Sequence, residues 1–173
     1  MKAFWKKGGL LAAALAMLLA VTTACGGPKA DVPIFMMFPQ NSPFNKQDEL
    51  KKALQAQVGE TPTVDISISP IFELQKMVVE LAAGEWSIYV LPKEQFEGFK
   101  QQGGFVELDD VLKKEDFPDG VSDGHLVGIP LKDSKLLKDA GYKGGEVYAF
   151  ITQRVKETKR DTAKQVLKKL AER

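Results

Sequence analysis

"TVDISISPIFELQKMVVELAAGEWSIYVL", residues 63–91, is the stretch on which the fold turns. Its first seven residues alternate Val64, Ile66 and Ile68 with polar neighbours, which is the period of a strand. From Pro70, a residue suited to the first turn of a helix, Leu74, Met77, Val78 and Leu81 recur at helical spacing. They predict a helix with one apolar stripe that runs to about Ala83 and stops at Gly84. "SIYVL" (87–91) is again of strand length and almost wholly apolar. A strand, a helix and a strand with short connections form a βαβ unit, which places the two strands parallel and the helix across the sheet.

The pattern extends in both directions. "VPIFMMF" (32–38) is a nearly continuous apolar run, as expected for a strand covered on both faces. Lys46 to Val58 sets Leu50, Ala53 and Leu54 at helical spacing before Gly59. Pro92 opens a further helix to about Gln101, and the carboxylate-rich segment 103–125 reads as a loop with one helical turn around Leu108 to Lys113. "LVGIPL" (126–131) is a short strand, "GEVYAFI" (145–151) a better one, and Ala163, Val166, Leu167 and Leu170 form the stripe of a last helix from about Lys159 to Ala171. The expected fold is α/β: a three-layer sandwich with a mostly parallel sheet of four or five strands and helices on both faces, in one domain over residues 32–173.

The beginning of the chain has a different character. Lys2, Lys6 and Lys7 precede the apolar run Leu10 to Val21, and small residues follow. This is the layout of a secretory signal over residues 1–24, and the run is short of the roughly 20 residues that span a bilayer. Ala24 before the sole cysteine, Cys25, and Gly26 after it resemble the lipobox of bacterial lipoproteins, with Thr22 where that pattern prefers Leu. The resemblance implies diacylation of Cys25 and a lipid anchor on the extracytoplasmic face of the cell membrane. Residues 25–31, polar and glycine-rich, would tether the domain. The first 24 residues carry three of the 24 basic side chains and none of the 23 acidic ones, so the remainder is nearly neutral and gives no ground for nucleic-acid binding.

Residues 81–110, "LAAGEWSIYVLPKEQFEGFKQQGGFVELDD", resemble the first lobe of the extracytoplasmic solute-binding lipoproteins of ABC importers, chiefly the carbohydrate-binding type. There a helix ends in Ala-Ala-Gly-Glu, a strand follows, and a G-x-F-x-x-L-D-D segment comes after the next helix. "DGHLVGIPL" (123–131) resembles the D-G-x-x-Y-G-I-P turn of the same family, and the last helix resembles its A-x-x-x-L-x-x-L helix. Ser87 stands where the family has Asp, and Val127 where it has Tyr. Complete members have two lobes, whereas this chain has the length of one; short YteS-like lipoproteins associated with pectin-derived sugar uptake are the nearest narrower resemblance. The family implies a non-enzymatic protein with a small carbohydrate or oligosaccharide as ligand and an ABC importer permease or another envelope protein as partner. An alternative is a regulatory or accessory lipoprotein that binds a protein partner, such as a sensor ectodomain or a full-length binding protein, and no solute.

Ligands of open α/β sheets sit beyond the carboxyl ends of the strands. Those positions hold Gln40, Asn41, Ser42 and Phe44 after the first strand, Phe72 and Glu73 after the second, and Lys93 and Gln95 after the third. Amides, charged groups and rings suit a sugar, whose hydroxyls pair with planar polar groups while its C–H face lies on a ring. The competing reading makes Asn41 and Ser42 helix caps and Phe44 and Phe72 core staples. Trp86, ahead of the third strand, falls at the opposite edge and reads as a packing or partner-contact residue.

No G-x-S-x-G, H-E-x-x-H or G-x-x-x-x-G-K-[ST] motif occurs, so no catalytic residue and no cofactor is assigned. His125, the only histidine, has no second histidine or free cysteine for a catalytic zinc site and reads as a turn residue. Glu107, Asp109, Asp110, Glu115, Asp116, Asp119 and Asp123 lack EF-hand spacing and read as a solvated acidic loop, leaving no metal assigned. The basic residues of the last helix, Lys156 to Arg173, read as an exposed face supported by a Lys168–Glu172 pair.

Overall fold

The computed structural model describes residues 29–173; the expected leader and Cys25 lie outside the described residues. Five strands form the main sheet: β1 (Val32–Met37), β2 (Val64–Ser69), β3 (Ile88–Pro92), β6 (Ile129–Pro130) and β7 (Val147–Phe150). Their order is β2-β1-β3-β7-β6. β1 is parallel to both β2 and β3, whereas β7 is antiparallel to β3 and to β6, so β7 alone runs against the rest. A separate hairpin pairs β4 (Val121–Ser122) with β5 (His125–Leu126). The helices are α1 (Gln47–Val58), α2 (Leu74–Ala83), α3 (Lys93–Lys100), α4 (Lys135–Asp139) and α5 (Glu157–Leu170). The fold is therefore mixed α/β with a mainly parallel central sheet, as the periodicity predicts.

Alternation along β1 divides the core into two layers. Val32, Ile34 and Met36 face Leu50 and Leu54 of α1 and Ala163, Val166, Leu167 and Leu170 of α5. Phe35 and Met37 face the other way, with Tyr89, Leu91, Tyr148, Phe150, Met77 of α2 and Phe96 of α3. This second layer is aromatic: the Phe96 and Tyr148 rings stack with centroids 4.6 Å apart, and Tyr89 stacks on Phe150 at 5.8 Å. Such planar packing fills the space under short helices with few side chains.

Several expectations change. α2 begins at Leu74, not Pro70, because Ser69 Oγ donates to the Ile71 carbonyl and holds residues 69–71 in a turn. Of its predicted stripe only Met77 is buried; Leu81 is half-buried, and Leu74 and Val78 are exposed. Asn41 and Ser42 cap no helix, since α1 starts five residues later with Lys46 at its N-cap and no side-chain cap. α4 is an element that the periodicity does not announce; Ser134 caps it, accepting from Leu137 N while donating to the Leu170 carbonyl at 2.7 Å. Lys169, not Lys168, pairs with Glu172. Lys164 reaches both oxygens of Asp110, and Arg160 donates to the carbonyls of Gln153 and Val155. Much of the basic face of α5 is thus committed to its own domain. No helix among the described residues is long and apolar enough to cross a membrane.

Candidate functional site

The carboxyl ends of β1, β2 and β3 lie side by side because β1 is parallel to both neighbours. The chain leaves each strand there through a turn rich in proline: Pro39 after β1, Pro70 after β2, and Pro92 closing β3. Proline fixes φ, so the direction in which the chain leaves each strand is set by the ring. Between them opens a cleft of about 420 Å³ lined by Pro39, Gln40, Asn41, Phe72, Pro92, Glu94 and Gln95. A smaller cavity of about 220 Å³ adjoins it, sharing Pro39, Gln40 and Phe72 and reaching Phe44 and Ile71.

The eight residues expected at the site separate into groups. Gln40, Asn41, Phe72 and Gln95 line the main cleft. Phe44 lies at the smaller cavity, but its ring is buried edge-on against Phe38 at 5.0 Å and Tyr142 at 5.4 Å, so it supports the wall from the core side. Ser42 is half-buried behind Asn41, to whose Oδ1 its hydroxyl donates at 3.4 Å, and its N–H closes a turn on the Pro39 carbonyl at 2.9 Å. Glu73 is exposed at the start of α2 and lines neither cavity. Lys93 is drawn away from the cleft by Glu146, whose Oε2 it reaches at 3.1 Å. That hydrogen bond, reinforced by the opposite charge, raises the Lys93 pKa above its usual value.

The cleft therefore presents three amides, one carboxylate and one ring face with no lysine. Glu94 is the residue sequence reasoning passes over. Its signal was available, because it sits between Lys93 and Gln95 in the first turn of α3, where successive side chains splay around the helix start. On the far edge of the sheet Trp86 is half-buried against Phe35 at 5.6 Å, and its Nε1 donates to Glu80 Oε2 at 2.6 Å, a packing role.

No protein-family model matches the chain, and no curated protein does. Solved structures with partial likeness include an ABC substrate-binding protein from Listeria monocytogenes in complex with cycloalternan (TM-score 0.41, 17% identity, 58% of this chain and 28% of that one). An extracellular solute-binding protein of family 1 from Alicyclobacillus acidocaldarius has TM-score 0.41 and 20% identity, over 60% of this chain and 29% of that one. An N-glycan transport solute-binding protein from Streptococcus pneumoniae, in complex with Man1GlcNAc, has TM-score 0.39 and 17% identity, over 59% and 25%. The likeness thus spans between a quarter and a third of each of these proteins.

Proposed function

We propose that the chain is a non-enzymatic, carbohydrate-binding protein of the cell envelope, built as one lobe of a solute-binding-protein-like fold and working with an ABC sugar importer. The observation that carries this reading is the cleft at the strand ends, which Gln40, Asn41, Glu94 and Gln95 line together with Phe72. Amide and carboxylate groups pair with sugar hydroxyls in both directions, since an amide donates and accepts while a carboxylate accepts. The ring and the two prolines supply an apolar floor for the C–H face. Anchoring through a lipidated Cys25, with residues 25–31 as tether, rests on the lipobox resemblance. The short YteS-like lipoproteins are the narrower group this reading favours.

The cleft is open, so it covers a ligand from one side only and leaves the other in water. Binding sites that hold small ligands tightly enclose most of their surface. Weak binding of a monosaccharide and better binding of an oligosaccharide, which spans more of the cleft, follow from this. The test is a thermal-shift titration against mono- and oligosaccharides, pectin fragments among them. A ligand present at 100 times its Kd adds about 2.7 kcal/mol to stability, a rise of several degrees for a domain of this size. A dose-dependent rise with one sugar class supports the reading; no response at millimolar sugar removes it.

A second reading, an accessory lipoprotein that binds a protein partner and no solute, is favoured by one observation. Ile71, Leu74, Val78 and Val79 are large apolar residues between 49% and 65% exposed, all at or near α2. Exposed apolar side chains gathered on one helix are candidates for contact with another protein. Crosslinking of the intact lipoprotein to envelope neighbours, lost on Leu74→Ser and Val79→Ser, separates this reading from the first.

A further inference from the structure

Away from the cleft, Glu107, Asp109 and His125 bring one ligating atom each to within 4.8 Å of one another. We infer that these three side chains bind a divalent first-row metal ion, with Zn²⁺ the ion their chemistry suits best. The inference is independent of the sugar-binding reading and goes beyond the reading of His125 as a turn residue, which its place beside the Asp123-Gly124 turn fits.

The backbone holds the three groups in place before any ion arrives. Glu107 and Asp109 are two residues apart, and between them Leu108 is fully buried. Leu108 N donates to the Leu126 carbonyl at 2.8 Å, and Leu126 N donates to Asp109 Oδ2 at 3.1 Å. These bonds tie the 107–109 segment to β5 and fix one carboxylate oxygen. His125 is positioned from the other side by the β4–β5 hairpin, in which it pairs with Ser122 across Asp123 and Gly124. Both turn residues have positive φ, 51° and 86°, as a two-residue Asp-Gly hairpin turn requires. Leu126, buried completely, is the inward neighbour that leaves His125 facing solvent.

The distances fit a shared ion. His125 Nδ1 lies 3.4 Å from Glu107 Oε2 and 3.5 Å from Asp109 Oδ2. A good N–H···O bond is about 2.7–3.2 Å, so both separations are long for one. Two donor atoms each about 2.1 Å from a tetrahedral zinc lie about 3.4 Å apart, which is the separation of the imidazole nitrogen from each carboxylate oxygen. One imidazole with two carboxylates is a mixed nitrogen and oxygen set; the imidazole selects against calcium and magnesium, and the carboxylates neutralise the ion's charge. Three protein ligands leave a fourth position for water or for a group from a bound partner. The Leu126 N–H on Asp109 supplies the outer support that ligating carboxylates use.

The single histidine makes the test direct, because the full chain, tag-free and in detergent, has one imidazole to observe. Zinc is titrated while the His125 ring is followed by NMR and the stoichiometry by calorimetry, in parallel with His125→Gln and Glu107→Gln. Both variants alter exposed side chains, and Asp109 is left intact because it also anchors the backbone. The expected result is one zinc per chain, saturable movement of the His125 signals, and affinity reduced about tenfold or more in each variant. No saturable movement of the ring signals, or zinc binding of unchanged affinity in both variants, overturns the inference.

Discussion

α5 and α2 carry comparable apolar signals in sequence and meet opposite fates. In α5, Ala163, Val166, Leu167 and Leu170 are all fully buried against the sheet. In α2 the corresponding stripe fully buries Met77 alone, Leu81 is half-buried, and Leu74 and Val78 remain in solvent. The difference lies in what each helix rests on. α5 packs beside α1 on the sheet face rich in Ile and Val, so its stripe is closed from two sides. α2 lies over the aromatic face, where Tyr89, Phe96, Tyr148 and Phe150 fill the volume by stacking on one another. Met77 is the one α2 side chain fully buried in that layer, and Leu81 packs at its margin. Helical spacing thus reveals that a face is apolar, but neighbours decide whether it is covered.

This contrast can be broken by mutation. Leu167→Ala in α5 removes a side chain of zero exposure and is expected to cost about 2–5 kcal/mol, while Leu74→Ala, 56% exposed, stays within about 0.5 kcal/mol. Urea denaturation of the two variants checks it, and equal losses break the comparison. Next in size is Gly128→Ala, whose new Cβ would overlap the Phe96 ring; overpacking of the aromatic layer is expected to cost about 1–3 kcal/mol. Tyr148→Phe has the opposite sign. The Tyr148 hydroxyl is buried with no hydrogen-bond partner, and burial also pushes its pKa well up. Deleting the oxygen is expected to leave stability unchanged or raise it by about 1 kcal/mol, measured as a change in Tm.

The smallest expected effect concerns the start of β1. Thr63 donates to Asp31 Oδ2 through its N–H and its hydroxyl, each at 2.8 Å, and Asp31 N donates back to Thr63 Oγ1 at 3.0 Å. The Thr63 backbone bond first, then its hydroxyl, holds the Asp31 pKa below the ordinary carboxylate value. A lowered folded-state pKa contributes stability above the unfolded value and loses it as pH falls through the folded one. Tm should therefore fall more steeply with pH below about pH 4 in the wild type than in Asp31→Asn. Identical acid profiles would show that the clamp does not hold the ionised form.

The order of the longer strands and helices was legible because each carries its own apolar pattern: period two in Val64, Ile66 and Ile68, and 3.6 in Ala163, Val166, Leu167 and Leu170, whereas the β4–β5 hairpin inside the expected loop 103–125 was not. Direction was less so. β7 reads as a good strand, yet its antiparallel pairing with β3 and β6 depends on long-range neighbours. α4 escaped because five residues are too few to show a helical period. Gln40, Asn41, Phe72 and Gln95 could be placed at the cleft from their position after strands alone. Lys93 could not, since its diversion depends on Glu146, 53 residues away. The approach of His125 to Glu107 and Asp109 was likewise hidden, because it requires the β4–β5 hairpin to dock on Leu108.

Carbohydrate binding at the strand-end cleft is the proposal on which the functional reading rests. Its most direct test is calorimetric titration of oligosaccharides into the wild type, Gln40→Ala and Phe72→Ala, with Leu74→Ser as the control on the exposed helix. Saturable binding of one sugar class is expected, weakened about tenfold by either cleft substitution, as loss of roughly 1.4 kcal/mol entails, and unchanged by Leu74→Ser. Binding that ignores Gln40 and Phe72, or no saturable heat from any sugar at millimolar concentration, would contradict it.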